Sequence, residues 1–130
     1  MKVSPDLKYT QNDEWIRVEG STGTAGITDY AQEQLSDIVF VEVLASVGET
    51  IAKGAAFANV ESVKAAAEVY MPVSGTITAV NNALPQGPEA INKDPYGEAW
   101  MVRFTITAPA ELEGLMSSAA YQKHCEGRSH

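Results

Sequence analysis

From Glu14 to Ile106 the chain is written as short runs rich in Val, Ile, Thr and aromatic residues, parted by glycine-marked turns. Runs of this kind read as strands, so the middle of the chain is predicted to be β throughout. Residues 14–19 (Glu-Trp-Ile-Arg-Val-Glu) and 23–27 form two strands around Gly20-Ser21-Thr22. Residues 38–44 are almost continuously apolar, which predicts a strand buried on both faces. Turns at 47–50 and 52–55 precede the strand that leads to Lys64, and residues 75–80 alternate cleanly. A long irregular passage over 81–99 holds three prolines. Trp100, Val102, Phe104 and Ile106 then alternate with Met101, Arg103 and Thr105, as in a half-buried strand.

Helices are predicted in two places. Thr28 or Asp29 caps a short one ending at Leu35, with Ile27, Ala31 and Leu35 spaced by four. From Pro109, a residue suited to a first turn, Leu112, Leu115, Met116, Ala119 and Ala120 recur on one helical face. Ser117-Ser118 is a point where this segment can divide into two helices. The opposite face carries acids rather than bases, so the stripe is expected to cover the β core and not a membrane. Residues 126–130 read as a frayed end. One domain over 1–130 is expected, with its core about 7–108 and a helical segment about 109–125.

The residue that carries chemistry is Lys64. Val60-Glu61-Ser62-Val63-Lys64-Ala65-Ala66-Ala67-Glu68-Val69-Tyr70 reads as strand, tight turn, strand, with the lysine at the apex. The turn lacks the Asn-Gly or Gly-X pair that usually builds a two-residue hairpin. Acids and small residues flank it, and the nearest other lysines are Lys53 and Lys93. An isolated amine on a hairpin tip is a place where an enzyme can attach a swinging arm.

Bulk properties narrow the classes. Hydrophobic content of 45% in 130 residues allows a real but modest core. No apolar run approaches the length that spans a bilayer. Met1-Lys2-Val3-Ser4-Pro5 shows neither a signal core nor an Arg-rich presequence. The expected location is therefore a bacterial cytoplasm, or the mitochondrial matrix if a presequence has been removed. A single cysteine, Cys125, fits a reducing compartment and reads as a tail residue. The net charge of −8 argues against nucleic acid and favours docking on basic patches of protein partners. Enzymatic activity is not expected. The two histidines, His124 and His130, lie in the tail beside Cys125, metal-ligand spacing is absent, and no glycine-rich phosphate loop occurs.

Glu61-Ser62-Val63-Lys64-Ala65-Ala66 closely resembles the lipoyl-attachment motif of the glycine cleavage system H-protein family. Asp13-Glu14-Trp15 is similar to that family's His-Glu-Trp segment. Residues 26–35 and 37–42, Val73-Ser74-Gly75, residues 92–100 and the tail around Ala120-Tyr121 follow its pattern, in order, over roughly 7–125. The resemblance implies a lipoyl/biotinyl-type barrel-sandwich hybrid of two small antiparallel sheets with quasi-twofold symmetry. A short internal helix and C-terminal helices complete it, with the lysine hairpin at one edge. It implies lipoate in amide linkage to Lys64, with Glu61, Ser62, Val63 and Ala65 as the attachment motif. Asn12, Glu14 and Glu68 fall at the positions lining the cleft where the loaded arm is shielded from water.

The implied role is carriage rather than catalysis. The arm takes an aminomethyl group from a pyridoxal-phosphate glycine decarboxylase and yields it to a tetrahydrofolate-dependent aminomethyltransferase. A flavin dihydrolipoyl dehydrogenase then reoxidises it. A lipoate ligase or octanoyltransferase would supply the modification, and a monomer is expected. Lysyl stem and acyl chain together reach roughly 14 Å. The alternative within the same resemblance is an H-like relay that donates lipoate to 2-oxoacid dehydrogenase complexes. Biotin carriers place their lysine in Met-Lys-Met, and acyltransferase lipoyl domains favour Asp-Lys; here the neighbours are Val63 and Ala65. The chain departs from the family pattern at Asp13 in place of His, Ser36 in place of Gly, Leu44-Ala45-Ser46, and Asn59 within an apolar strand.

Overall fold

A computed structural model describes residues 1–128. Its strands are β1 (Lys8–Tyr9), β2 (Glu14–Glu19), β3 (Thr22–Ile27), β4 (Ile38–Val43), β5 (Thr50–Ile51), β6 (Ala56–Ser62), β7 (Ala66–Tyr70), β8 (Gly75–Val80) and β9 (Val102–Ile106). They form two antiparallel sheets of unequal size, ordered β1-β2-β3-β9-β8-β5 and β4-β6-β7. The inner faces meet in one core that includes Ile16, Val41, Phe57, Val60, Ile77 and Phe104. Gly23 in β3 and Gly75 in β8 lie against the Phe104 ring; a Cβ on Gly23 would stand 2.7 Å from it, so both positions exclude a side chain. Helix α1 (Asp29–Leu35) connects the sheets, and Thr28 caps it by accepting from the Ala31 N–H at 3.1 Å. Ala31 and Leu35 pack on the core as their spacing predicts. A short helix, α2 (Ala90–Lys93), interrupts the irregular passage. Among the described residues no helix is long and apolar enough to cross a membrane.

Three expectations need correction. β4 is not buried on both faces: Val39 is 55% and Phe40 43% exposed, while Ile38 and Val41 point inward. β4 is an edge strand of the smaller sheet, and no described element covers that sheet's outer face, a fact of tertiary arrangement that an apolar run cannot encode. The last strand begins two residues later than its alternation indicates. Met101 is buried and hydrogen-bonds through its N–H to Ala25 O at 2.8 Å, whereas Trp100 lies half-buried under the Arg103 guanidinium at 4.2 Å.

The third concerns the C-terminal segment. Pro109–Gly114 is a 3-10 helix, Met116 pairs with Tyr9 through two backbone hydrogen bonds, and α3 (Ser118–Glu126) starts only after Ser117 caps it. Ala119 and Ala120 are exposed; the buried face is Tyr121 and Cys125 instead. These two join Leu7, Tyr9, Trp15, Tyr30 and Tyr96 in a second cluster, where Tyr121 stacks on Tyr9 at 4.5 Å. Cys125 is thus a core residue rather than a loose tail thiol. Helix α3 continues through Glu126 and Arg128 docks on Asp13, so the fraying expected over 126–130 does not begin there; residue 129 and His130 lie outside the described residues.

Candidate functional site

Lys64 stands at the apex of the β6–β7 hairpin, exposed, beside an exposed Val63. The hairpin turns without glycine because Ser62 does the work of a carbonyl. Its hydroxyl oxygen accepts from the N–H groups of Lys64 (3.1 Å) and Ala65 (2.9 Å) and donates to Ala65 O (3.1 Å). The Ser62 N–H adds a bond to Ala65 O at 2.8 Å, and the Val63 N–H bonds Asp37 O at 3.1 Å. Neither Val63 nor Lys64 has a positive φ, so ordinary L-residues fit without strain. The result is a fixed pivot whose amine faces solvent. Ala65 and Ala66 are small and exposed beside it, and Glu61 is exposed on the facing strand.

Cross-strand register sets what surrounds the pivot. On the outer face Phe40 opposes Glu61, which opposes Ala66; one row further, Glu42, Asn59 and Glu68 lie across the three strands. A groove of about 210 Å³ runs between these rows. Asn59, an anomaly in an apolar strand, belongs to this outward row. Beside β7 is a second cleft of about 180 Å³, whose walls include Asn12, Asp13, Ile27, Leu35, Ala67 and Glu68. Glu68 fronts both spaces. From Lys64 to Glu68 is four residues along the strand, roughly 13 Å at about 3.3 Å per residue.

Of the three proposed cleft residues, the structure brings Asn12 and Glu68 together. Glu14 lies next door, in a hollow of about 290 Å³ shared with Asn12, Lys53, Tyr70 and Leu115. It is 1% exposed. One carboxylate oxygen accepts from the Thr10 hydroxyl and the other from the Tyr70 N–H at 3.2 Å. Burial pushes its pKa up to about 7, and the two hydrogen bonds offset only part of that. Glu14 therefore changes charge near neutrality, and it ties the end of β7 to the large sheet.

Sequence reasoning missed several residues of this region. Thr10 and Tyr70 are Glu14's partners, and Tyr121 and Arg128 both reach the Asp13 carboxylate. Serine two places before the apex is a local signal for the Ser62 turn; nothing in the sequence joins positions 13 and 128. Among the described residues no group of His, Cys, Asp or Glu could hold a metal ion.

An exposed amine on a rigid tip, with a cleft of mixed apolar and acidic lining within one strand's length, fits a covalently tethered arm. The family profile of the glycine cleavage H-protein matches residues 7–128. The chain belongs to that family. It is 50% identical over 121 residues to the glycine cleavage system H protein of Salinibacter ruber, covering 93% of this chain and 97% of the relative. With that of Nitratidesulfovibrio vulgaris it shares 47% over 130 residues, the whole of both chains. The fold matches the crystal structure of a glycine cleavage system H protein from Mycobacterium marinum with a TM-score of 0.84 and 35% identity, covering 93% and 97% of the two chains. The architecture of that family and the sheets described above agree.

Proposed function

We propose that this member of the glycine cleavage H-protein family is the system's lipoyl carrier, with lipoate joined to Lys64. The observation that carries the reading is the pairing of one exposed lysine at a serine-pinned apex with an acid-lined cleft roughly 13 Å away along β7. An arm reaching roughly 14 Å spans that distance. When bound, the dithiolane supplies a sulfur to hold the one-carbon unit and a redox pair.

The chain's own residues do the rest. Ser62 holds the turn so that the Lys64 amine is presented to a lipoate ligase or octanoyltransferase. Val63, Ala65 and Glu61 frame the apex for that enzyme. Ala67, Leu35 and Ile27 give the cleft an apolar lining for the acyl chain, and Glu68 and Asn12 give it polar groups suited to a cargo ammonium. Glu14, next to Asn12, is a second carboxylate that ionises more readily when a cation approaches. Net charge of −8 suits brief docking on basic surfaces of the decarboxylase, the aminomethyltransferase and the dehydrogenase in turn.

Intact-mass and peptide-mass measurement after incubation with lipoate ligase, lipoate and ATP tests the attachment. Wild type is expected to gain one lipoyl group on the peptide containing Lys64, and Lys64→Arg none, with an unchanged melting curve. Modification of Lys64→Arg at another lysine would overturn the assignment.

A further inference from the structure

The loop entering β2 is held from the other end of the chain. Asp13 has φ 69°, in the left-handed region that aspartate enters more readily than most residues. Its backbone O accepts from the Thr28 N–H at 3.0 Å. Its carboxylate Oδ1 accepts from the Tyr121 hydroxyl at 2.8 Å and from the Arg128 guanidinium. Because Tyr121 donates to Asp13, the 2.7 Å contact between the Tyr121 and Thr28 hydroxyls is donated by Thr28, which in turn accepts from Ala31 N–H and so caps α1. Arg128 also lies over the Tyr30 ring at 4.4 Å, and Tyr30 is in the first turn of α1.

These contacts reach both walls of one space. Asn12 and Asp13 form one side of the 180 Å³ cleft; Ala31 and Leu35 of α1 form another. The two walls come from separate stretches of chain, and Tyr121 of α3 together with Arg128, two residues past the helix end, grips both. We propose that Tyr121 and Arg128 are positioning residues that set the width of the arm cleft through Asp13 and Thr28, so that the C-terminal helix governs how well the cleft shields its cargo. The proposal rests on the reading of that cleft as the arm's docking place. It also gives Asp13 a role: an acid at this position recruits the C-terminus, and pairing with Arg128 compensates its charge.

The test uses full-length lipoylated protein loaded with the aminomethyl group by the decarboxylase and glycine, with release of ammonia and formaldehyde as one readout. The second readout is amide hydrogen exchange at residues 10–14 and 28–31 of the unloaded protein. Asp13→Asn combined with Arg128→Met removes the ion pair without leaving a bare carboxylate; Tyr121→Phe removes the shared hydroxyl while keeping the ring. Both are expected to exchange faster in the two segments and to release cargo about fivefold faster, the value of one net hydrogen bond. Arg128→Lys is expected to retain most of the wild-type lifetime. Faster exchange with an unchanged cargo lifetime would overturn the proposal, as would unchanged exchange. A wild type that loads cargo but loses it as fast as free aminomethyl dihydrolipoamide would instead overturn the shielding cleft itself.

Discussion

Two tight turns, one at the hairpin apex and one in the cleft wall, are each pinned by an internal hydroxyl but differ in how far along the chain their other supports lie. The 62–65 turn is exposed, has no positive φ at its two apex residues, and is held by the hydroxyl of a serine inside it. The 10–14 turn has its own hydroxyl, Thr10, accepting from the N–H groups of Asn12 and Glu14. It also carries a left-handed Asp13, ends on a buried Glu14, and is further secured by Thr28, Tyr70, Tyr121 and Arg128 from other parts of the chain. Apart from the bond from Val63 N–H to Asp37 O, the first turn is held by its own residues, so its shape depends little on the rest of the molecule. The second turn adds bonds to distant residues, which couple the cleft wall to the rest of the molecule. On the carrier reading proposed above, the contrast separates the place where the arm is attached from the place where its cargo is guarded.

Substitutions in the two turns should therefore differ in size and in reach. The largest effect is expected from Tyr121→Ala, which empties a fully buried ring stacked on Tyr9 and unties Asp13 and Thr28 at once. A loss of about 3–5 kcal/mol in urea unfolding is expected, and a loss under about 1 kcal/mol would show that the 10–14 turn does not depend on α3.

Glu14→Gln comes next, and its effect depends on pH. Burial holds Glu14 near pKa 7 against an unfolded value near 4.5, so between those values the folded state binds the additional proton. Stability then falls as pH rises through that window, because the buried carboxyl must ionise. Gln at this position is expected to be more stable than wild type at pH 8 by about 3 kcal/mol, with the difference gone below about pH 4.5. Parallel denaturation curves of the two proteins from pH 4 to 8 check the sign, and a constant gap would mean that Glu14 is not titrating there.

Ser62→Ala should have the smallest effect, about 1 kcal/mol, since the turn is exposed and water replaces the lost hydroxyl. Its amide exchange should rise at 63–65 and stay unchanged at 10–14. Transmission to the second turn would break the contrast.

The same contrast explains what was legible in the sequence. The Lys64 hairpin and the β3–α1 junction with its Thr28 cap depend on neighbours within a few residues, so pattern and turn chemistry reveal them. The alternation expected over 75–80, by contrast, holds only to Thr78, where the register with β9 shifts. The exposed outer side of β4 was not legible, because whether Val39 and Phe40 are covered depends on layers assembled far along the chain. The C-terminal stripe misled for a related reason. Met116 joins a strand bridge to Tyr9, which removes it from any helix, and the buried face becomes Tyr121 and Cys125. Of the candidate cleft residues, Asn12 and Glu68 were assigned from resemblance; their shared cleft follows from packing of β7 against the 10–14 turn. That Glu14 is buried and bonded to Tyr70 was invisible, since a lone glutamate in a strand reads as a solvated charge.

The most direct test of the carrier assignment is glycine-dependent exchange of labelled carbon dioxide by the purified decarboxylase, with lipoylated wild type beside Lys64→Arg. Strong exchange with wild type and none with the variant is the predicted result. No exchange from wild type whose mass shows the lipoyl group would contradict the account.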